Sequence, residues 1–353
     1  MANSLQLPVI DLCSPDRTAT AREIRRACID YGFFYLINHG VEQTLFRQVF
    51  EQSRRFFSLP IEEKMKLDRK QNRGYTPLYA EKLDTSSSCK GDLKETFHIG
   101  ALEHSDLNQW PSEGVLPSWK ATMEDYYERV LNAGKKLVSL IALALNLDED
   151  FFDKAVAFNP PDGFLRLLHY PAVPSPLESP DQVIYGASAH SDYGMITLLA
   201  TDGVPGLQVC REKFRQPQIW EDVPNLSGAF IVNIGDMTER WTNCLFQSTL
   251  HRVVPTGSER YSVTKISSHF WLSFHIFALP YYDLHMFSKA RVTWLSQTKK
   301  EKFSASVSIY MKRPKLRTQC GFFLLGMDFH FICDALHTSP LHTSHFTVVC
   351  LQQ

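Results

Sequence analysis

The segments GASAHSD at residues 186–192, LHRVV at 250–254 and RYSV at 260–263 carry the reading that decides the fold. Each holds a polar or charged side chain set into an apolar, β-forming run. From Gly163 to Val263 the chain keeps this character. Short candidate strands at Phe164–His169, Met195–Ala200, Leu207–Cys210, Ala229–Ile234 and Leu250–Val254 are separated by Gly, Pro, Asn and Asp. That is the pattern of an antiparallel sandwich or jelly roll.

His190 and Asp192 are two residues apart, a spacing that on a strand puts both side chains on one face. His251 lies at the start of another candidate strand. Two imidazoles and one carboxylate make a three-ligand face suited to a non-haem Fe(II) with open positions. Taken alone, a His-x-Asp pair is common by chance, and a lone histidine is more often a packed residue. Arg260 and Ser262, shortly after His251 and on one face of the next strand, make the combination specific. A guanidinium with a neighbouring hydroxyl suits the far carboxylate of a small diacid. His39, His98 and His169 have no such partners and read as structural.

Upstream of this core the periodicity changes. Leu7–Leu12 reads as a strand and Thr18–Tyr31 as a helix burying Ile24, Ala27, Cys28 and Tyr31. The run from Phe33 to Ile37 reads as a strand, and Glu42–Phe57 as a second helix. A short third helix starts at Pro60, with Glu62 and Glu63 in its first turn. Asn72–Pro77 reads as a loop, Thr85–Ser88 as flexible, Glu95–Ile99 as a strand and Ser118–Leu147 as the longest helix. The fold expected is an all-β core with helices, a jelly roll joined to a mixed α/β N-terminal region.

Composition bounds the function. A net charge of −1 over 353 residues gives no general attraction to nucleic acid or a membrane surface. Eight cysteines without a CxxC pair argue against a disulfide framework or zinc ribbon and favour reduced thiols in the cytoplasm. The N-terminus lacks the basic and apolar regions of a signal peptide. The charge is uneven, however. Residues 264–353 hold ten Lys/Arg against four Asp/Glu, and the rest of the chain 27 against 34. The domain organisation expected is an N-terminal region at 6–117, a long helix and connection at 118–159, the core at 160–263, and an atypical tail at 264–353. The composition of that tail suits a disordered segment or a splice product, which would cut the last barrel strand short after Val263, or else an appended interaction segment.

These motifs resemble the plant 2-oxoglutarate and Fe(II)-dependent dioxygenases, a family similar to isopenicillin N synthase. The resemblance rests on the site residues and on Leu7–Asp11, Gly32–Gly40, Arg73–Tyr75 and Val232–Asp236, and it covers about residues 6–263. It implies a double-stranded β-helix with His190, Asp192 and His251 as iron ligands. It also implies Arg260, Ser262 and Tyr170 around 2-oxoglutarate, with ascorbate as reductant. The chain departs from many relatives at Leu168, where they carry asparagine. The implied activity is an O₂-dependent oxidation (hydroxylation, desaturation or demethylation) of a small apolar metabolite by a cytoplasmic monomer in plant secondary metabolism. Two alternatives stand beside it. One is a catalytically impaired isoform that retains a metal-binding jelly roll. The other is an iron enzyme without 2-oxoglutarate, in which Arg260 and Ser262 grip a substrate carboxylate.

Overall fold

The structure is a computed structural model and describes residues 5–83, 91–154, 163–172 and 184–267, together with the backbone of three short strands further on. The chain divides into two compact units, Met1–Phe270 and Trp271–Gln353.

The first unit is built on two sheets. The larger has eight strands: β1 (Val9–Asp11), β2 (Phe33–Ile37), β3 (Gly74–Thr76), β4 (Glu95–Ile99), β5 (Gly163–Tyr170), β7 (Ile196–Thr201), β10 (Phe230–Ile234) and β12 (Arg260–Ser267). Their order is β1-β2-β10-β7-β12-β5-β4-β3. The smaller contains β6 (Ala187–His190), β8 (Leu207–Cys210), β9 (Glu221–Asp222) and β11 (Leu250–Val253), in the order β6-β11-β8-β9. Thus the N-terminal region is no separate layer. β1 and β2 extend one edge of the jelly-roll sheet, and β3 and β4 extend the other.

Strand β2 shows how the sequence specifies this arrangement. Phe33-Phe34-Tyr35-Leu36-Ile37 is apolar throughout because both of its faces are covered. Phe34 and Leu36 join the core beneath the helices, whereas Phe33 and Tyr35 point between the sheets. The same split recurs on β5, where Leu165 and Leu167 face the helices and Leu168 and Tyr170 face the barrel interior.

Three helices cover the outer face of the large sheet: α1 (Arg17–Asp30), α2 (Gln43–Phe57) and α4 (Trp119–Ala144). Between α2 and β3 lies the short helix α3 (Ile61–Met65). Asp16 caps α1 through its carboxylate, which accepts from the Ala19 N–H at 2.9 Å. The turn after α1 needs Gly32. Its φ is +67°, and an added Cβ would lie 2.3 Å from the Gln247 carbonyl oxygen. Trp119 opens α4 fully buried, and its indole N–H donates to the Gln52 carbonyl at 3.1 Å, pinning α4 to α2. Phe56, Phe97 and Trp119 form the aromatic centre of this layer.

Two expectations need correction. The segment expected as a loop at Asn72–Pro77 contains β3, because Gly74–Thr76 pairs with β4 in register. The last barrel strand is also not cut short at Val263. β12 continues to Ser267 and is hydrogen-bonded to β5 on one side and β7 on the other. Thr264 and Lys265 continue the alternation begun by Arg260, so the strand pattern runs on past Val263 without a break. The expected flexible segment Thr85–Ser88 lies outside the described residues. In the second unit, β13 (Ala290–Leu295), β14 (Phe303–Ile309) and β15 (Phe331–Cys333) form a three-stranded antiparallel sheet; the rest of the tail lies outside the described residues.

Candidate metal centre

Strands β6 and β11 bring the two histidines together. They pair antiparallel with His190 directly opposite His251, so the two imidazoles stand side by side, ring centroids 4.3 Å apart. Asp192 reaches them differently from what the spacing predicts. β6 ends at His190, and Asp192 lies in the turn beyond it. That turn is held by backbone bonds from Asp236 N–H to the Asp192 carbonyl at 2.7 Å and from Gly235 N–H to the Met195 carbonyl at 2.9 Å. Gly235 permits this approach, since an added Cβ would meet the Gly194 carbonyl oxygen at 2.1 Å.

The Asp192 Oδ1 is 3.7 Å from His190 Nε2 and 3.6 Å from His251 Nε2, and one ligand atom from each residue lies within 4.8 Å of the others. Every other polar atom of the three side chains is engaged elsewhere. His190 Nδ1 meets the Ser188 carbonyl at 2.7 Å, and His251 Nδ1 meets the Thr249 carbonyl at 3.1 Å. A carbonyl only accepts, so both Nδ1 atoms carry hydrogen and both Nε2 atoms turn inward. Asp192 Oδ2 accepts from Thr197 Oγ1 at 2.5 Å and from Asn233 Nδ2 at 2.8 Å, which leaves Oδ1 free. Thr197 and Asn233 sit opposite each other in the β7–β10 register.

The electrostatics agree with a cation site. Burial, aided by the charge of His251, lowers His190 to about 4 and keeps it neutral. Burial opposes ionisation of Asp192, but His251, His190 and the Thr197 hydroxyl outweigh it and hold the carboxyl far below its usual range. Burial likewise pushes His251 down, and the Asp192 carboxylate more than reverses this, so His251 is raised. An ionised, buried carboxylate facing the Nε2 atoms of two imidazoles, of which His251 gives up its proton when a metal enters, fits a divalent cation.

A second set of residues lies at the start of β12. Arg260 is 3% exposed, pairs with Tyr170 in register, and places its guanidinium 5.0 Å from the Tyr170 ring centroid. Its Nε donates to the Val204 carbonyl at 3.3 Å, but its buried Nη1 has no partner among the described residues. Ser262 follows on the same face, also buried. Arg260 opens onto a small cavity lined by Leu93, Tyr170, Gly186, Val253 and Pro255. An unpartnered, desolvated guanidinium nitrogen in such a cavity fits one oxygen of a carboxylate.

The structure also shows supporting residues to which the sequence reading assigned no part. Thr197 and Asn233 orient Asp192. Ser188 is held by Asp92, whose Oδ1 accepts from the Ser188 N–H at 3.0 Å and its hydroxyl at 2.6 Å, and Asp92 is paired with buried Lys94 at 2.9 Å. Asn233 lies in a noted motif, but no local pattern marks Asp92. Of the histidines read as structural, His39 packs 4.4 Å from Phe230 and His169 bridges Glu95 at 2.7 Å and Glu259 at 2.8 Å.

A jelly roll carrying two converging imidazoles and one carboxylate defines a mononuclear non-haem metal protein. Comparison with known proteins narrows this. Residues 7–113 match the family described as non-haem dioxygenase in morphine synthesis, N-terminal, and residues 161–272 match the 2OG-Fe(II) oxygenase superfamily. Kihadalactone A synthase LFS of Citrus sinensis is 43% identical over 277 residues, covering 74% of this chain and 81% of that protein. Azadirone synthase LFS of Melia azedarach is 41% identical, covering 72% and 79%. Among solved structures, a full-length Neurospora crassa protein in complex with alpha-KG superposes with a TM-score of 0.67 at 31% identity, covering 76% of this chain and 86% of that one. The chain therefore belongs to the 2OG-Fe(II) oxygenase superfamily. It has the double-stranded β-helix fold and is a 2-oxoglutarate-dependent dioxygenase that uses Fe(II).

Proposed function

We propose that His190, Asp192 and His251 hold Fe(II) and that Arg260, Ser262 and Tyr170 hold 2-oxoglutarate for the oxidation of a small, largely apolar metabolite. One observation carries the reading most: the three converging atoms are those left free after every other polar atom of the triad has a partner. Bound there, Fe(II) supplies O₂ activation coupled to oxidative decarboxylation of 2-oxoglutarate to succinate and CO₂.

The chain's own residues do the rest. Arg260 and the Ser262 hydroxyl receive the distal carboxylate, and the face of Tyr170 keeps the guanidinium in place. Ser188 and Thr249 fix the imidazole tautomers through Nδ1. Thr197 and Asn233 keep Asp192 from turning its second oxygen inward. Phe33, Tyr35, Ile231 and Leu199 give the interior an apolar side that receives the substrate skeleton and excludes water. The relatives named above are synthases of kihadalactone A and azadirone, which supports hydroxylation, desaturation or demethylation of a plant secondary metabolite.

Further parts of this reading are ascorbate as reductant and a cytoplasmic monomer that binds neither nucleic acid nor membrane. The near-neutral net charge supports it, and among the described residues no helix is long and apolar enough to cross a membrane. We also read 6–117 as the N-terminal region, 118–159 as helix and connection, and the catalytic core as beginning at 160 and extending through β12.

The test is anaerobic titration of Fe(II)-loaded protein with 2-oxoglutarate, followed by succinate release with Fe(II), ascorbate and O₂. Wild type should show the visible charge-transfer band of the chelate and His190→Ala should not. Folded, iron-treated wild type that forms no chelate band would refute the assignment.

A further inference from the structure

The interior of the barrel is not uniformly apolar. Across β4, β5 and β12 the residues Phe97, Ile99, Leu165, Leu167, Tyr261 and Val263 face the helix layer. Their alternates face inward. On the inward side, His98 pairs with Arg166, and Arg166 pairs with Thr264, forming one row across three strands. Thr264 in turn pairs with Leu199 of β7. Thr197, whose hydroxyl holds Asp192, is one row further along β7. The Arg166–Thr264 row is therefore one row, about 7 Å along the strands, from the Thr197 that holds Asp192, and two rows beyond Arg260.

Three buried polar atoms on this wall have no partner among the described residues: Arg166 Nε, Thr264 Oγ1 and, on β3, Thr76 Oγ1. Buried polar atoms are ordinarily satisfied, so orphans grouped on one face mark a place where something binds. The charges around them are also unbalanced. Arg166 pairs with Glu81, which is reached by Arg69 at 3.0 Å and Lys94 at 3.6 Å, while Lys94 also pairs with Asp92 at 2.9 Å. In this group three cations face two carboxylates. Neighbouring His98 is held neutral by burial and by the charges of Arg166 and Arg69.

We propose that Arg166 Nε and the Thr264 hydroxyl receive an oxygen acceptor of the substrate, a carboxylate or carbonyl oxygen, while its apolar skeleton lies against the Phe33–Ile231 side of the barrel. This deepens the dioxygenase reading and rests on it. The substrate class is then an apolar framework bearing one oxygen function, not a plain hydrocarbon. Arg166 is a specificity residue and takes no part in the oxidation. Its removal leaves Glu81 paired with Arg69 and Lys94, so an apolar replacement strands no carboxylate.

The test uses full-length protein loaded anaerobically with Fe(II) and 2-oxoglutarate. Three probes share one ring system: naphthalene-2-carboxylate, naphthalene-2-carboxamide and 2-methylnaphthalene. Binding is read by paramagnetic broadening of the probe's NMR lines, which reports only probe held near the iron. The oxygenated probes should bind about tenfold or more tightly than 2-methylnaphthalene. Arg166→Met should abolish that preference and Thr264→Val should reduce it, both leaving 2-oxoglutarate affinity unchanged. A carboxylate ahead of the carboxamide would show that the surplus positive charge is used; equal affinities would show hydrogen bonding alone. Equal binding of all three probes, a preference that survives Arg166→Met, or no bound probe at all would overturn the proposal. Failure of wild type to bind 2-oxoglutarate would instead overturn the dioxygenase reading, and this proposal with it.

Discussion

Replacing Thr197 with valine isolates one hydrogen bond of the proposed metal centre. Valine keeps the β-branched shape that suits the central strand β7 and removes only the hydroxyl. Asp192 Oδ2 then keeps Asn233 at 2.8 Å and loses the donor at 2.5 Å. A hydrogen bond to a charged acceptor contributes about 1.5–3 kcal/mol. Part of that loss falls equally on the metal-free and metal-bound states. The remainder acts on affinity, because a carboxylate with one restraint is free to rotate and presents Oδ1 less often. Removing such supporting contacts typically weakens metal binding about 10–100-fold. Fe(II) or Co(II) affinity of Thr197→Val measured anaerobically by calorimetry should fall within that range, with a modest loss of thermal stability from the part shared by both states. The double variant with Asn233→Leu should lose more than the two single losses combined, since both donors serve one oxygen. Metal affinity within about twofold of wild type, in a folded Thr197→Val protein, would refute the claim that Oδ2 anchoring presents Oδ1.

Glu95 sits in a buried network with Lys64, Tyr75 and His169. Burial raises its pKa, but these partners outweigh burial and hold it below the ordinary 4.5. Its contribution to stability is therefore complete above 4.5 and lost as pH falls through the lower folded value. Glu95→Gln, which strands buried Lys64, should cost about 3–5 kcal/mol at neutral pH; in urea unfolding that gap from wild type should close as the pH is lowered below 4.5, and a constant gap would sink the idea. Phe56 is fully buried against Phe57, Tyr75, Phe97 and Trp119. Phe56→Ala should cost about 3–5 kcal/mol in denaturant unfolding, and a loss under about 1 kcal/mol would mean that the site collapses around the gap. Arg260→Leu should raise the KM for 2-oxoglutarate about 10–100-fold with a much smaller change in kcat, as expected for a lost charge-assisted carboxylate contact.

Much of the fold was legible because its signals are local. The period of two from Gly163 onward marked strands, and five of them fall within a residue or two of the observed β5, β7, β8, β10 and β11. The long helix was legible from its stripe of Trp119, Met123, Tyr126, Tyr127 and Val130, all buried. The exceptions are equally physical. Gly74–Thr76 is too short to show a period and is a strand only because β4 lies beside it. The tail's change in composition suggested a truncated barrel strand, yet pairing from both sides carries β12 to Ser267.

The site divides in the same way. The sequence by itself determined the residue types and their order: His190, Asp192, His251, then Arg260 and Ser262, the set proposed to hold Fe(II) and 2-oxoglutarate. Only the tertiary structure decided that β6 and β11 set the two histidines opposite one another. It also showed that Asp192 is aimed by a turn and not by strand alternation. Likewise, Thr197 on β7 and Asn233 on β10 hold Asp192, and Asp92, ahead of β4, holds Ser188 beside His190. The polar inner wall of Arg166 and Thr264 belongs to this second kind. Its members are 98 positions apart in sequence and meet only through the register of β5 and β12. Such facts stay hidden in one dimension because sheet register is set by the burial of whole faces, not by any residue's neighbours in sequence.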